Sequence, residues 1–196
     1  MELVVVTPPD YFEGEGQLIN ALFTAGLDLL HLRKPENDEE KFRKLMLAIR
    51  PEYYPAVSIH QHHELAEEFS VKRLHYTEQH RKLMGDACLD ELRGQGFCLS
   101  SSVHDLEEVP DLDYVFYGPV FDSISKTGYN SVLDTDFVLP SHTVKIFAIG
   151  GVKAGRLEQL KAMNFDGAAV LGALWHREDS PLAEFKKIRK ALIDLQ

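Results

Sequence analysis

The residues of this chain that could do chemistry are cations, imidazoles, hydroxyls and glycines, and most of them end or follow a short apolar run. Leu29-Leu30-His31-Leu32 runs into Arg33-Lys34, Val57-Ser58-Ile59 into His60-Gln61, and Arg73-Leu74-His75-Tyr76 leads toward His80. Phe97-Cys98-Leu99-Ser100 leads to Ser102 and His104, and Tyr114-Val115-Phe116-Tyr117 to a polar stretch with Ser123, Ser125 and Lys126. Lys145–Ile149 stops at Gly150-Gly151, and Ala168–Leu171 at Gly172. Guanidinium and ammonium groups recognise phosphate and carboxylate. Glycine turns let backbone N–H groups approach an anion with no Cβ in the way. Histidine is the side chain whose ordinary pKa suits proton transfer near neutral pH. The set reads as a site for a small phosphorylated molecule, with imidazoles beside it.

Each group also has a plain reading. Arg33 could form a rim salt bridge, a lysine in a polar loop such as Lys126 is usually solvated, and His104 could simply orient a loop. The run His60-Gln61-His62-His63 invites a metal reading. However, His62 and His63 fall where a helix should start and are expected to face solvent. No Asp or Glu shares the ends of the third and fourth runs, so no metal site is expected. Cys88 and Cys98 are expected in the core.

The elements that must position these residues alternate regularly. Strand patterns cover Glu2–Thr7, Leu29–Arg33, Val57–His60, Arg73–Tyr76, Phe97–Ser100, Tyr114–Tyr117, Lys145–Ile149 and Ala168–Leu171. Between them, Gly16–Ala25 carries a helical stripe of Leu18, Ile19, Leu22 and Phe23. Asn37 with Glu40 forms a capping box for the next helix. His63–Phe69 and Asp105–Val109 read as short helices, 80–95 as short helical pieces, and Arg156–Met163 as a helix. Ser180-Pro181 is an N-cap followed by proline at the first helical position, opening the last helix. Gly118 to Asp134 has no periodicity, and long loops in compact chains are often functional. Eight such repeats predict a small single-domain α/β fold over residues 1–196, a (β/α)8 TIM barrel. A doubly wound sheet is the alternative, but Pro8-Pro9 stands where a dinucleotide-binding glycine motif would follow the first strand. In a barrel the C-terminal strand ends share one rim, and the last two strands commonly hold phosphate.

Composition narrows the function classes. The chain has 196 residues, 44% hydrophobic and 27% charged, with a net charge of −10. That balance disfavours a nucleic-acid binder. No apolar run approaches the ~18 residues of a membrane span. The start, Met1-Glu2-Leu3-Val4-Val5, lacks a signal-peptide pattern. Two cysteines without a CxxC pair suit a reducing, cytoplasmic setting. A homo-oligomer is left open.

Several segments coincide in order and spacing with one family: Leu32-Arg33-Lys34, Ser102-Val103-His104, Tyr117-Gly118-Pro119-Val120-Phe121, Ser125-Lys126, Ala148-Ile149-Gly150-Gly151 and Gly167–Leu171. On these the chain resembles the thiamin phosphate synthase and TenI superfamily of small TIM barrels. The resemblance implies that Gly150, Gly151 and the backbone at Leu171-Gly172 hold a thiazole phosphate. It implies that Arg33 and Lys126 face a diphosphate or a thiazole carboxylate, with Ser102 and Ser125 donating hydrogen bonds. Lys34, Gln61 and His75 complete the expected substrate-binding set, and His60, His80, His104 and Lys126 the expected catalytic one. Synthases of the family join a pyrimidine methyl diphosphate to a thiazole phosphate with the help of Mg²⁺, held by Asp residues after strands three and four. Here those positions read His60-Gln61 and His80, and Pro35 stands where a lysine is expected. The resemblance therefore implies first a TenI-like tautomerase, which aromatises a thiazole phosphate carboxylate without metal or diphosphate. The synthase is the alternative, with Mg²⁺ as its cofactor. Family tautomerases carry histidine where this chain has Pro119, which leaves His31, His60, His75, His80 and His104 as candidate bases. A non-catalytic sensor retaining the phosphate cradle is a further alternative, and a metal-dependent hydrolase using His60 and His62 another. Lys126→Ala is expected to weaken binding of the carboxylate- or diphosphate-bearing ligand roughly tenfold or more, the worth of a charge-assisted hydrogen bond. Calorimetric titration beside an unchanged melting curve checks this.

Overall fold

In a strand, neighbouring side chains point to opposite faces. The computed structural model describes residues 1–121, 137–175 and 180–195, and it shows what each face meets. Eight parallel strands pair in sequence order: β1 (Glu2–Val6), β2 (Leu29–Leu32), β3 (Val57–Ile59), β4 (Arg73–Tyr76), β5 (Cys98–Val103), β6 (Tyr114–Tyr117), β7 (Lys145–Ile149) and β8 (Gly167–Val170). β1 also pairs with β8, Val4 opposite Ala169, which closes the sheet into a (β/α)8 TIM barrel. Leu3, Val5, Leu30, Val57, Leu74, Val115 and Val170 point outward and are buried in the layer beneath the helices. The alternate residues Val4, Val6, Leu29, Tyr114, Phe116, Phe147 and Ala169 form a separate cluster inside the barrel.

Seven helices are described: α1 (Glu15–Thr24), α2 (Glu39–Ala48), α3 (Glu78–Met84), α4 (Asp86–Gly94), α5 (Leu157–Ala162), α6 (Gly172–Trp175) and α7 (Pro181–Ile193). α1 buries Ile19, Leu22 and Phe23, the face its spacing predicts. α7 opens as expected: Ser180 Oγ accepts the Ala183 N–H at 3.2 Å and Pro181 occupies the first turn. Its buried stripe is Phe185, Ile188 and Leu192. Among the described residues, no helix is long and apolar enough to cross a membrane.

Four local expectations are corrected. α2 is capped by Asp38, not Asn37, because Asp38 Oδ1 accepts the Lys41 N–H at 2.9 Å. His63–Phe69 is no α-helix but a single 3₁₀ turn, His63–Leu65, entered from His62 at φ 55° and left at Ser70 with φ 53°. Asp105–Val109 forms no helix: Asp105 Oδ1 accepts the Glu107 N–H at 2.8 Å, which favours a turn, and Pro110 follows. Cys88 is exposed rather than in the core, because α4 buries only Leu89.

One tether fixes the wall where α1 begins. Lys34, just beyond β2, is fully buried. Its ammonium donates to the carbonyls of Pro8 (2.9 Å) and Asp10 (2.8 Å) and pairs with Glu15 Oε1 at 2.7 Å. Burial pulls the Lys34 pKa down and pushes that of Glu15 up, each opposed by the partner's charge. Lys34→Met strands Glu15 as a buried, unpaired carboxylate, an effect expected to cost about 3–5 kcal/mol. A lower urea midpoint, largely restored by adding Glu15→Leu, checks it.

Candidate active site

The inward side chains change character along the barrel. Tyr114 and Phe147 stack at 5.0 Å near its base. Above them the strands supply imidazoles. His31 of β2 is fully buried, with Nε2 2.8 Å from the Tyr114 hydroxyl and Nδ1 2.8 Å from His60 Nε2. His60 lies one residue past β3 and is half-buried at the mouth. His75 of β4 is held by two hydroxyls of β5, Ser100 Oγ at 2.9 Å from Nδ1 and Ser102 Oγ at 3.2 Å from Nε2. The His60 and His75 rings stack at 4.1 Å, and Phe116 lies against both His31 and His75.

Burial keeps this cluster uncharged. The His75 pKa is pushed down to about 3, first by desolvation and then by the charges of His63 and Arg33. His31 and His60 are held well below the usual histidine range, again chiefly by burial, with mutual repulsion adding to it. The Tyr114 hydroxyl is pushed up to about 12 by burial. The rings are therefore neutral imidazoles at pH 7, each a donor at one nitrogen and an acceptor at the other.

Arg33 supplies the charge at the mouth. Its N–H donates to Thr7 Oγ1 at 2.9 Å and its carbonyl accepts from the same hydroxyl at 3.1 Å, which fixes the backbone there. The side chain is half-buried, and no carboxylate among the described residues pairs with it. The adjacent Lys34 goes the other way. Its three ammonium contacts are all within the protein, and its N–H donates to Gln61 Oε1 at 2.7 Å. The expectation that Lys34 faces substrate is corrected by this placement: its side chain turns into the wall, while Gln61 Oε1 links the ends of β2 and β3.

The glycine turn has a packing role of its own. Gly150 (φ 95°) and Gly151 (φ 64°) are in the left-handed region that favours glycine. A Cβ on Gly150 would lie 2.7 Å from Pro119 Cα, because the segment after β6 runs over β7, with Val120 N–H donating to the Ile149 carbonyl at 2.9 Å. Gly172, just after Leu171, begins α6, which Trp175 ties to β1 through Nε1 and the Val6 carbonyl at 2.7 Å. Ser125 and Lys126 lie outside the described residues.

His80 and His104 are not brought to the imidazole cluster. His80 is exposed on α3 with its ring edge toward Tyr76 at 5.3 Å. His104 is 72% exposed and pairs with Glu78 Oε2 at 2.8 Å, and Glu78 also holds Lys82 at 2.8 Å. His62 and His63 do not face solvent as expected. The His62 ring packs on Phe42 at 4.9 Å, while His63 meets Tyr76 at 4.6 Å and bonds the Ile59 carbonyl at 3.1 Å. Thr7 and Tyr114 were not anticipated. The available signal was alternation, which puts Tyr114 on the same face as His31.

The family model for thiamine monophosphate synthase matches residues 3–174. The chain belongs to this family. It is similar to a solved thiamine phosphate pyrophosphorylase from Bacteroides thetaiotaomicron, 30% identical, covering 100% of this chain and 99% of that one with a TM-score of 0.75. It is similar to the thiamine-phosphate synthase of Desulfitobacterium hafniense, 25% identical over 203 residues, 98% of this chain and 92% of the relative. A thiamine phosphate pyrophosphorylase from Pyrococcus furiosus shares the fold, with a TM-score of 0.79 at 16% identity.

Among the described residues, the strand-three and strand-four positions do not fit the Mg²⁺ that the family implies. Magnesium takes carboxylate and water oxygens. The strand-three position is Gln61, whose Oε1 is already used by Lys34, and the strand-four position is the imidazole of His80. Glu78 is the nearest carboxylate in sequence to His80, and it is already held by Lys82 at 2.8 Å and by His104 Nδ1 at 2.8 Å.

The neutral histidines set a pH dependence. An unfolded histidine protonates near pH 6.5, whereas His75 in the native barrel does so only near pH 3. Between these values the unfolded chain binds the extra proton, so stability falls as pH drops. The slope is at most about 1.4 kcal/mol per pH unit for each such histidine. Urea unfolding from pH 7 to pH 5 should show the loss, and His75→Gln should flatten it.

Proposed function

We propose that the protein is a transferase of thiamin biosynthesis that joins a pyrimidine methyl diphosphate to a thiazole phosphate. The observation that carries this reading is the half-buried Arg33, without a carboxylate partner among the described residues, at the mouth of a barrel lined by uncharged imidazoles. A cationic mouth on a chain of net charge −10 is suited to an anionic substrate. The names of the full-length relatives support the same chemistry.

In that reaction the methylene C–O bond breaks and its electron pair leaves with the diphosphate. The thiazole nitrogen lone pair then forms the new C–N bond to the pyrimidine methylene. Arg33, with Lys126 as the second expected cation, stabilises the charge that collects on the departing diphosphate. The half-buried ring of His60, backed by the stacked ring of His75, offers a flat, polar surface on which a pyrimidine can lie. The N–H groups at Gly150 and Gly151 and the start of α6 would take the thiazole phosphate. Ser102 and Ser125 remain the proposed hydroxyl donors.

Tautomerisation of a thiazole phosphate carboxylate, the first expectation from the sequence, becomes the second reading. What favours it is His60, a neutral imidazole at the mouth whose Nε2 is oriented by the buried His31.

Incubation with both substrates should release diphosphate and form thiamin phosphate. Arg33→Ala should lower kcat/KM by roughly 10- to 100-fold, the worth of about 1.5–3 kcal/mol of charge-assisted hydrogen bonding. Turnover of the iso-thiazole phosphate carboxylate without any coupling would instead establish the tautomerase.

A further inference from the structure

We propose that His31, His60 and His75 form a binding site for a divalent transition-metal ion, with Zn²⁺ as the ion best matched to the donors. This goes beyond the transferase reading and does not depend on it. One ring nitrogen from each histidine lies within 4.8 Å of the other two. The three rings come from the ends of neighbouring strands β2, β3 and β4, so the backbone of the barrel sets their spacing.

Two of the three outer nitrogens are already engaged as a metal site requires. A metal-bound imidazole almost always holds its other ring nitrogen in a hydrogen bond, which fixes tautomer and orientation. His31 Nε2 has the Tyr114 hydroxyl at 2.8 Å, and His75 Nδ1 has Ser100 Oγ at 2.9 Å. Both partners are buried. With Tyr114 and Ser100 accepting, His31 keeps the lone pair of Nδ1 and His75 that of Nε2, which accepts from Ser102 Oγ at 3.2 Å and would exchange that hydroxyl for the ion. With His31 Nδ1 accepting, the proton of the 2.8 Å contact sits on His60 Nε2 and moves to its Nδ1, a change of tautomer, when an ion binds.

Donor chemistry selects the ion class. Three imidazoles without a carboxylate suit Zn²⁺, Cu²⁺ or Ni²⁺ and do not suit Mg²⁺ or Ca²⁺. Bonds of about 2.0–2.1 Å to a tetrahedral ion would set ligand nitrogens roughly 3.3 Å apart. His31 Nδ1 and His60 Nε2 are 2.8 Å apart, so this contact opens by about half an ångström when the ion enters. His60 is the ring that can yield, since it is half-buried at the mouth while His31 is enclosed. Three protein ligands leave a fourth position, the pattern of sites that accept water or substrate. The competing account is a set of core histidines satisfied by one another, and it requires no affinity for metal.

The test uses chelator-stripped, dialysed full-length protein without substrates. Zn²⁺ is titrated in competition with a chromophoric chelator, and Co²⁺ is added separately to read its visible spectrum. Expected are one ion per chain and Co²⁺ bands typical of a four-coordinate site. His60→Ala should reduce affinity at least about 100-fold. Tyr114→Phe, at a positioning residue, should reduce it about 10- to 100-fold. His142→Ala should leave it unchanged, because His142 precedes β7 at the other end of the barrel and pairs with Asp166 at 2.8 Å. Absence of stoichiometric uptake by the unsubstituted protein overturns the proposal, whatever the variants do. Uptake that His60→Ala leaves unchanged overturns it too, since the ion would then sit on other histidines.

Discussion

A closed barrel gives every inward-pointing polar group the same problem: water is scarce there, so its partners must come from other strands. Tyr114, His31 and His60 meet this by bonding in series from β6 through β2 to the end of β3. His75 meets it through Ser100 and Ser102 of the neighbouring strand. The Tyr114–His31 link ties together strands far apart in sequence, and the others join consecutive strands. The same dryness keeps the imidazoles neutral, since a charged ring would lose its hydration without an anion to replace it. The rest of the site follows from that. Charge stays at the two ends of the barrel, Arg33 at the mouth and Arg73 at the start of β4.

Alternation also separates two cations that are adjacent in the chain. Arg33 continues the inward parity of Leu29 and His31, and its charge acts on His60 and His75. Lys34 continues the outward parity of Leu30 and Leu32, passes through the wall and meets Glu15 at the start of α1. One residue of register makes the first a candidate ligand-binding group and the second an internal tether. The same logic divides His60 from Gln61, and His75 from Tyr76.

The mouth also differs from the synthase pattern that the family resemblance implies. Imidazole and amide stand where carboxylates were expected, and the carboxylate of Glu78 is taken by its neighbours. An imidazole-lined mouth favours stacking, neutral hydrogen bonding and divalent transition-metal ions over magnesium. The glycine turn after β7 is compatible with either arrangement, because its conformation is also required by the packing of Pro119 against Gly150.

The sequence by itself determined the eight strands, their order and the family, because alternating apolar runs and the Tyr117–Phe121 and Ala148–Gly151 segments are local signals. It also placed Arg33, His60 and His75 at strand ends on one rim. It could not show that His80 and His104 stand apart, that His62 packs on Phe42, or that Asp105 breaks a helix into a turn. Those outcomes depend on where a short segment must travel to reach the next strand. Nor could it show the joining of His31, His60 and Tyr114, residues separated by up to 83 positions. Only closure of the sheet, with its fixed stagger between strands, brings such distant side chains to one level of the barrel. That stagger is a property of the whole ring, and no single strand encodes it.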